Sequence, residues 1–263
     1  MNTHLKLEQK DEVGNLIFFA EDRSKPPTID LNVLNELETR IREIRSDIES
    51  YRVVIIQSEH PKYFIVGANL EALKQLTKDS VREWVRRGHE VFNAIEDLPV
   101  PVIAKVKGYA LGGGLEVALA CDFIFCSNNA FLGQPEVNLG FVTGWGGSFR
   151  LPRRIGIAKA KNLIFTGRTL DADQAYNMDL IDFTGNEEEL DLFINETIAN
   201  IKKNSGIAIG MVKRLIQNSI LNNADMSCYE EAVASSVCIS SGDTQERLAD
   251  FFRKKERNKR GKI

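Results

Sequence analysis

The chain alternates runs of branched apolar residues with segments whose apolar residues repeat at helical spacing. Residues 53–56 read Val-Val-Ile-Ile and Val102–Val106 reads Val-Ile-Ala-Lys-Val, each without the alternation typical of a sheet with one solvent-facing side. Before each run, in residues 34–48 and 81–95, apolar residues recur three or four positions apart, as in an amphipathic helix. Buried strands that alternate with helices predict parallel strands joined by crossover helices. We therefore expect the α/β class.

The last third of the chain shows helical spacing and no further clear strand pattern. Beyond about residue 171, the apolar periodicity predicts helices over residues 191–202, 207–221, 227–239 and 245–255. This divides the chain into a mixed core over residues 1–200 and a helical region over residues 201–263. From the sequence alone, the helical region either packs on its own core or forms an oligomer interface.

Composition narrows the class of protein. The 263 residues include 34 Lys and Arg against 37 Asp and Glu, a formal net charge of −3, which argues against broad nucleic-acid affinity. No 18-residue apolar stretch is present, and the N-terminus lacks the basic and apolar regions of a signal peptide. The four cysteines form no Cys-x-x-Cys pair, and the three histidines lie far from them. We expect no metal site, and buried thiols in a reducing cytoplasm.

Three consecutive glycines, Gly112 to Gly114, precede an apolar stretch that contains one acid, Glu116. Without a Cβ atom, backbone N–H groups at a helix start can closely approach an anionic ligand. An acid on a helix that is apolar on all sides is expected to be buried, which would raise its pKa and suit it to proton transfer near neutral pH. The alternatives are a tight turn without a ligand and a glutamate that faces solvent or forms a salt bridge.

A second acid, Glu136, follows Pro135 in an otherwise uncharged segment. If the fold brings it beside Glu116, one carboxyl can hold and deprotonate water while the other handles a substrate proton. The alternative is a first-turn acid that interacts with the helix dipole.

A third element follows the strand predicted at residues 53–56. Residues 60–70 contain a small-residue corner that can turn a backbone N–H inward. Together with the amide of Gly113, this N–H would give two donors aimed at one oxygen, as stabilisation of an enolate-like anion requires. Taken alone, the segment is better explained as an ordinary strand-to-helix loop.

These segments together resemble the enoyl-CoA hydratase/isomerase, or crotonase, superfamily. The resemblance is carried by residues 63–69, 108–122 and 133–151, and by the Phe-Phe-Arg-Lys-Lys sequence at 251–255, so it covers nearly the whole chain. It implies a spiral of ββα repeats with the active site in residues 1–200. It also implies a helical trimerisation region in residues 201–263, with trimers that pair as hexamers.

The resemblance also implies residue roles. The backbone N–H groups of Val66 and Gly113 would bind the thioester oxygen, and Glu116 and Glu136 would position water between them. We assign Glu136 to protonate Cα and Glu116 to activate water, although the two acids can also share these roles. The residues expected to bind substrate are Ala68, Asn69, Leu70, Gly112, Pro135, Gly144, Trp145, Lys254 and Lys255. The two lysines would reach the CoA phosphates of a neighbouring subunit, and no cofactor beyond the CoA of the substrate is implied.

Having both glutamates favours hydration of a 2-enoyl-CoA to a 3-hydroxyacyl-CoA. Asn69, Trp145 and Phe149 depart from the residues that the superfamily commonly has at these places. An alternative is therefore isomerisation, decarboxylation or hydration of a specialised acyl group on CoA or a carrier protein. A third hypothesis, from another class, is a non-catalytic scaffold whose basic C-terminal run binds RNA or an acidic partner. Acyl length, trimer against hexamer, and the physiological direction of the reaction stay open.

Overall fold

The computed structural model describes residues 3–260, which form two compact units, residues 3–199 and residues 200–260. The strands are β1 (Thr3–Lys10), β2 (Val13–Ala20), β3 (Val53–Ser58), β4 (Tyr63–Ile65), β5 (Val102–Val106), β6 (Tyr109–Leu111), β7 (Phe123–Ser127), β8 (Phe131–Gly133), β9 (Thr169–Asp171) and β10 (Phe183–Gly185).

The helices of the first unit are α1 (Leu31–Ser46), α2 (Leu70–Lys74), α3 (Ser80–Glu96), α4 (Gly113–Leu119), α5 (Gly147–Ile155), α6 (Ile157–Thr166), α7 (Ala172–Asn177) and α8 (Glu187–Lys202), the last of which ends just past the unit boundary. Short 3-10 helices cover Ile48–Ser50 and Pro135–Leu139. The second unit contains α9 (Gly206–Ser219), α10 (Ala224–Ile239) and α11 (Gly242–Arg260). Among the described helices, none is both long and apolar enough to cross a membrane.

The first unit contains two sheets built from repeated strand pairs. Six strands form one sheet in the order β1-β2-β3-β5-β7-β10, and four form the other in the order β4-β6-β8-β9. The pairs β3–β4, β5–β6 and β7–β8 each place one strand in each sheet, and a helix follows each pair. Pairing is parallel except between β1 and β2 and between β8 and β9. The predicted α/β class is confirmed.

The predicted strands and helices are found close to the expected positions. Residues 53–56 of β3 are all buried, as the unbroken apolar run predicts for a central strand. On α1, Val33, Leu34, Leu37, Ile41 and Ile44 are buried and form its core-facing stripe. The four predicted C-terminal helices correspond to α8 to α11. Strand β10 was not predicted, because three half-buried residues are too few to show a periodicity.

Candidate active site

Three short parallel strands bring the motif segments together. β4, β6 and β8 are neighbours in the four-stranded sheet, and each runs directly into one of the segments that carry the resemblance. The chain leaves β4 at Val66, β6 at Gly112 and β8 at Gln134. Because parallel strands end at the same edge of a sheet, these three segments meet there, and open α/β sheets commonly bind ligands at that edge.

A cavity of about 400 Å³ opens at this edge, within the size range of small-molecule sites. Nearly all of its lining side chains are apolar, and the ionisable ones among the described lining residues are Glu116 and Glu136. The residues predicted for the site that line it are Val66, Ala68, Leu70, Gly112, Gly113, Glu116, Pro135, Glu136, Gly144 and Trp145. The structure thus brings ten of the thirteen predicted residues to one cavity.

The backbone at the corner after β4 corrects one prediction. The N–H of Val66, expected to bind the thioester oxygen, instead donates to the carbonyl of Pro27 at 3.0 Å. Gly67 then adopts φ +85°, a left-handed conformation that favours glycine and reverses the direction of the chain's N–H groups.

Beyond Gly67 the next N–H, that of Ala68, is available to a ligand. Ile29 donates to the carbonyl of Gly67 at 2.9 Å and accepts from the N–H of Asn69 at 2.8 Å. Polar groups of successive extended residues point to opposite sides, so the N–H of Ala68 faces away from Ile29. It has no hydrogen-bond partner within residues 3–260, and Ala68 lines the cavity. Ala68, rather than Val66, therefore offers the N–H on this side.

The second free donor is the N–H of Gly113 at the start of α4. The first N–H groups of a helix have no partner within it, and this one has none elsewhere in residues 3–260. It lies beside Gly67, since a Cβ atom built on Gly67 would be 3.7 Å from the Gly113 nitrogen. The neighbouring N–H of Gly112 is occupied, because it donates to the carbonyl of Gly133 at 2.9 Å.

Glu116 lies one turn into α4 and is 2% exposed. Its Oε1 accepts hydrogen bonds from the backbone N–H groups of Trp145 at 2.7 Å and Gly147 at 2.8 Å. Burial raises the pKa of Glu116, while these two N–H groups and the charge of Arg150 act in the opposite direction. The predicted burial and raised pKa are both found, and the carboxyl is held in one orientation.

Glu136 projects from the short 3-10 helix after β8 and is half-buried. Burial, followed by the nearby charge of Glu116, raises the pKa of Glu136 to about 7. The carboxamide of the buried Gln134 lies 2.6 Å and 3.0 Å from its two oxygens and donates to both when its nitrogen is on that side. The structure therefore gives the cavity two electrostatically coupled carboxyls, one of which can carry a proton near neutral pH.

A buried arginine supports the turn that holds Glu116. Arg150 is 4% exposed, and its Nη1 donates to the carbonyl of Trp145 at 3.0 Å. Its Nε and Nη2 donate to Glu96 on α3 at 3.0 Å and 2.8 Å, and Nη2 also donates to Asn93 at 2.5 Å. These bonds anchor the start of α5 to α3 and so fix the backbone donors to Glu116.

Three predicted residues are not among the residues that line the cavity. The side chain of Asn69, expected to contact substrate, instead caps α2 by accepting from the N–H groups of Glu71 and Ala72, both at 3.0 Å. An Asn directly before a helix with an early acid is a capping pattern that the sequence already displays. Lys254 and Lys255 are exposed on α11 of the second unit. Phe149 stacks on His89 and does not line the cavity.

Sequence reasoning missed several functional candidates. Gln134 and Arg150 contact the acids or their supports, and a polar residue between β8 and a proline was the available signal for Gln134. The apolar wall was also missed because its members come from distant segments: Leu73, Val81, Trp84, Val85, Leu139, Phe141 and Val142. Within residues 3–260, no group of three or more His, Cys, Asp or Glu side chains is arranged to hold a metal ion.

Comparisons with known proteins agree with this geometry. Residues 19–260 match the family model described as enoyl-CoA hydratase/isomerase. The chain is 34% identical over 254 residues to the short-chain-enoyl-CoA hydratase of Clostridium acetobutylicum, covering 93% of this chain and 97% of that protein. It is 33% identical over 233 residues to the crotonyl-CoA hydratase of Syntrophomonas wolfei, covering 87% and 89%.

A solved structure gives the same result at the level of the fold. The crystal structure of the enoyl-CoA hydratase from Bacillus anthracis superposes with a TM-score of 0.88 at 32% identity, covering 95% of this chain and 96% of that one. The expected crotonase fold is confirmed, and the chain belongs to the enoyl-CoA hydratase/isomerase family.

Proposed function

We propose that the protein is an enoyl-CoA hydratase that adds water across the 2,3 double bond of an enoyl-CoA thioester to give the 3-hydroxyacyl-CoA. The observation that carries this proposal is that Glu116 and Glu136 line the same cavity as the free N–H groups of Ala68 and Gly113. The full-length similarity to named hydratases supports it. The CoA thioester is the substrate, and we propose no further cofactor.

The reaction follows from the placement of these groups. The N–H groups of Ala68 and Gly113 bind the thioester oxygen, which draws electron density from Cβ; each donor is worth about 2.7–4 kcal/mol in comparable oxyanion sites. Glu116 accepts a proton from water as the water oxygen bonds to Cβ. Glu136 gives its proton to Cα, and proton exchange between the two acids restores the starting state.

The assignment of Glu136 as the proton donor rests on the environments of the two acids. Glu136 has a pKa of about 7 and so carries a proton in a useful fraction of molecules at neutral pH. Burial raises the pKa of Glu116, but two backbone N–H groups and the charge of Arg150 oppose this effect and stabilise its carboxylate. An anionic Glu116 is the form that accepts a proton from water.

Crotonyl-CoA and mass analysis of the product test the proposal. Hydration adds one water to the mass and removes the ultraviolet absorbance of the conjugated enoyl group. Decarboxylation removes carbon dioxide, and isomerisation leaves the mass unchanged. The assay should include a panel of enoyl thioesters on CoA and on carrier protein. If none of them gave a product that had gained water, the assignment would be overturned in favour of another reaction of the family.

Removal of either acid is predicted to lower turnover while the fold is retained. Glu116→Gln and Glu136→Gln should each reduce kcat by roughly 10²–10⁴, as expected for loss of a general acid or base. The matched control is Glu71→Gln, an exposed acid on α2 that does not line the cavity. Near-wild-type kcat in both cavity variants would contradict the two-acid mechanism.

We also propose that the second unit mediates oligomerisation, as a trimer or a pair of trimers. Its helices expose large apolar side chains at helical spacing, as on α10 at Met226, Tyr229, Val233 and Val237. Lys254 and Lys255 are exposed, as contact with the CoA phosphates of a neighbouring subunit would require. We place the protein in the reducing cytoplasm, where four free cysteines are expected.

A further inference from the structure

The indole of Trp145 forms part of the inner wall of the cavity. Trp145 is 2% exposed and lines the cavity beside Gly113 and Glu116. Its six-membered ring lies against the start of α4, since a Cβ atom built on Gly113 would be 2.7 Å from Cζ3 of the indole. The ring therefore begins where the thioester would be bound and extends away from it.

The other edge of the indole is set into α3. A Cβ atom built on Gly88 would lie 2.1 Å from both Cδ1 and Nε1 of Trp145, so the ring fits only because residue 88 is glycine. Nε1 donates to the carbonyl of Trp84 at 3.3 Å. The ring also packs against Trp84 and Phe92, with centroid distances of 5.4 Å and 5.5 Å. The indole thus fills the space between α3 and α4.

The cavity has a solvent side and a buried side. Leu70 is 59% exposed and Val142 is 80% exposed, whereas Trp84 and Trp145 are 5% and 2% exposed. CoA is large and charged and must stay toward solvent, because burial of its phosphates would be costly. The acyl chain therefore extends from the oxyanion site toward the buried side, where it meets Trp145.

We propose that Trp145, seated against Gly88, limits the acyl chain to short enoyl groups. This inference rests on the proposed hydratase function and names the substrate class of the same site. The side chain of Trp145 sets the depth of the acyl pocket, while its backbone N–H holds Glu116.

Kinetics with crotonyl-CoA, 2-hexenoyl-CoA and 2-decenoyl-CoA test this inference. For the wild-type enzyme we expect kcat/KM for 2-decenoyl-CoA at least tenfold below that for crotonyl-CoA. Trp145→Leu should raise the ratio of decenoyl to crotonyl kcat/KM at least tenfold, because each methylene that gains a buried site adds about fourfold in binding. Phe92→Leu is the control, since it loosens the same core without lining the cavity.

Gly88→Ala probes the same wall from the opposite side. The added methyl group would push the indole into the cavity, so kcat/KM for 2-hexenoyl-CoA should fall at least fivefold more than that for crotonyl-CoA. The double variant Gly88→Ala/Trp145→Leu should recover the longer substrate. The single variant Gly88→Ala, with the wild-type chain-length series, decides the question even if variants with Trp145→Leu do not fold.

The outcomes separate this inference from the proposed function. A wild-type enzyme that hydrates decenoyl-CoA as efficiently as crotonyl-CoA, or a folded Trp145→Leu variant with an unchanged ratio, would overturn the role of Trp145 while hydration stands. Failure to hydrate any of the three thioesters would instead overturn the proposed function and this inference with it.

Discussion

The two acids of the cavity differ in burial and in their hydrogen-bond partners. Glu116 is nearly fully buried and accepts hydrogen bonds from two backbone N–H groups. Glu136 is half-buried, and its pKa is raised to about 7 by burial and by the nearby charge of Glu116. The sequence predicted both acids, and the burial of Glu116, from single charges in apolar segments. It could not predict that the N–H of Ala68, and not that of Val66, is free at the cavity, because that depends on the positive φ of Gly67, which reorients the following peptide.

The coupled pair predicts the pH dependence of activity. The active form carries one proton on the pair, and the last proton leaves Glu136 as the pH rises through about 7. We expect kcat/KM to fall about tenfold per pH unit above this value. Because water addition involves no net proton uptake, the profile should be the same for hydration and dehydration. Constant kcat/KM from pH 6 to pH 9 would contradict the assignment of Glu136.

The charges of the lining residues predict discrimination against acidic acyl groups. The described lining residues include two acids and no cation, so a second carboxylate on the acyl chain would be desolvated beside like charge. We expect kcat/KM for glutaconyl-CoA at least about 10² lower than for crotonyl-CoA, since like-charge contacts cost several kcal/mol. Competitive rates measured in one mixture check this. Values within tenfold of each other would mean that a cation from outside the described lining reaches the site.

At the scale of elements, the site depends on short strands and on the turn before α5. β4, β6 and β8 have three residues each, too few for a periodic signal, so the sequence revealed their motifs but not the sheet that aligns them. The long elements were predictable because burial on one stripe or on both faces repeats over many residues. The turn at Trp145 was not predictable from the sequence, because the residues that fix it lie on α3, about fifty positions earlier.

Arg150 is predicted to act as a positioning residue through this turn. Arg150→Met should lower kcat about tenfold with little change in KM, because the donors to Glu116 lose their anchor. It should also lower the free energy of unfolding by about 3 kcal/mol, the lower end for a buried ion pair, since the Glu96 side chain is 32% exposed. Steady-state kinetics and urea unfolding measure the two effects.

The matched control for Arg150 is Glu96→Gln. This substitution removes the charge of Glu96 and so weakens the ion pair between Arg150 and α3, but it keeps the hydrogen bond from Arg150 to the Trp145 carbonyl. It should therefore cost some stability while kcat stays close to wild type. If both variants lowered kcat equally, the turn would not be the route by which Arg150 acts.

At the scale of the whole molecule, the second unit exposes an apolar surface of the kind that favours association with another protein surface. On α10, Met226, Tyr229, Val233 and Val237 are 42–66% exposed and recur every three or four residues. The sequence predicted these helices from the same spacing but could not tell a core-facing stripe from an exposed one. Exposure in the structure is what favours an interface.

Charge placed in this stripe is predicted to prevent the proposed oligomerisation. Tyr229→Glu/Val233→Glu should convert the assembly to monomers, because burying the new carboxylates in an apolar interface is costly. Light scattering during gel filtration measures the mass. Glu231→Lys, an exposed residue about 155° around α10 from the centre of the stripe, is the control and should leave the mass unchanged. A wild-type monomer at micromolar concentration would contradict the proposal.

One residue contributes to two tasks through separate parts of its structure. Trp145 donates its main-chain N–H to Glu116 and places its ring against Gly88. Nineteen of the twenty amino acids carry that N–H, so replacement of the ring leaves the donor available unless proline is introduced. A single substitution at position 145 during evolution could therefore change acyl-chain specificity without removing the hydrogen bond that orients Glu116.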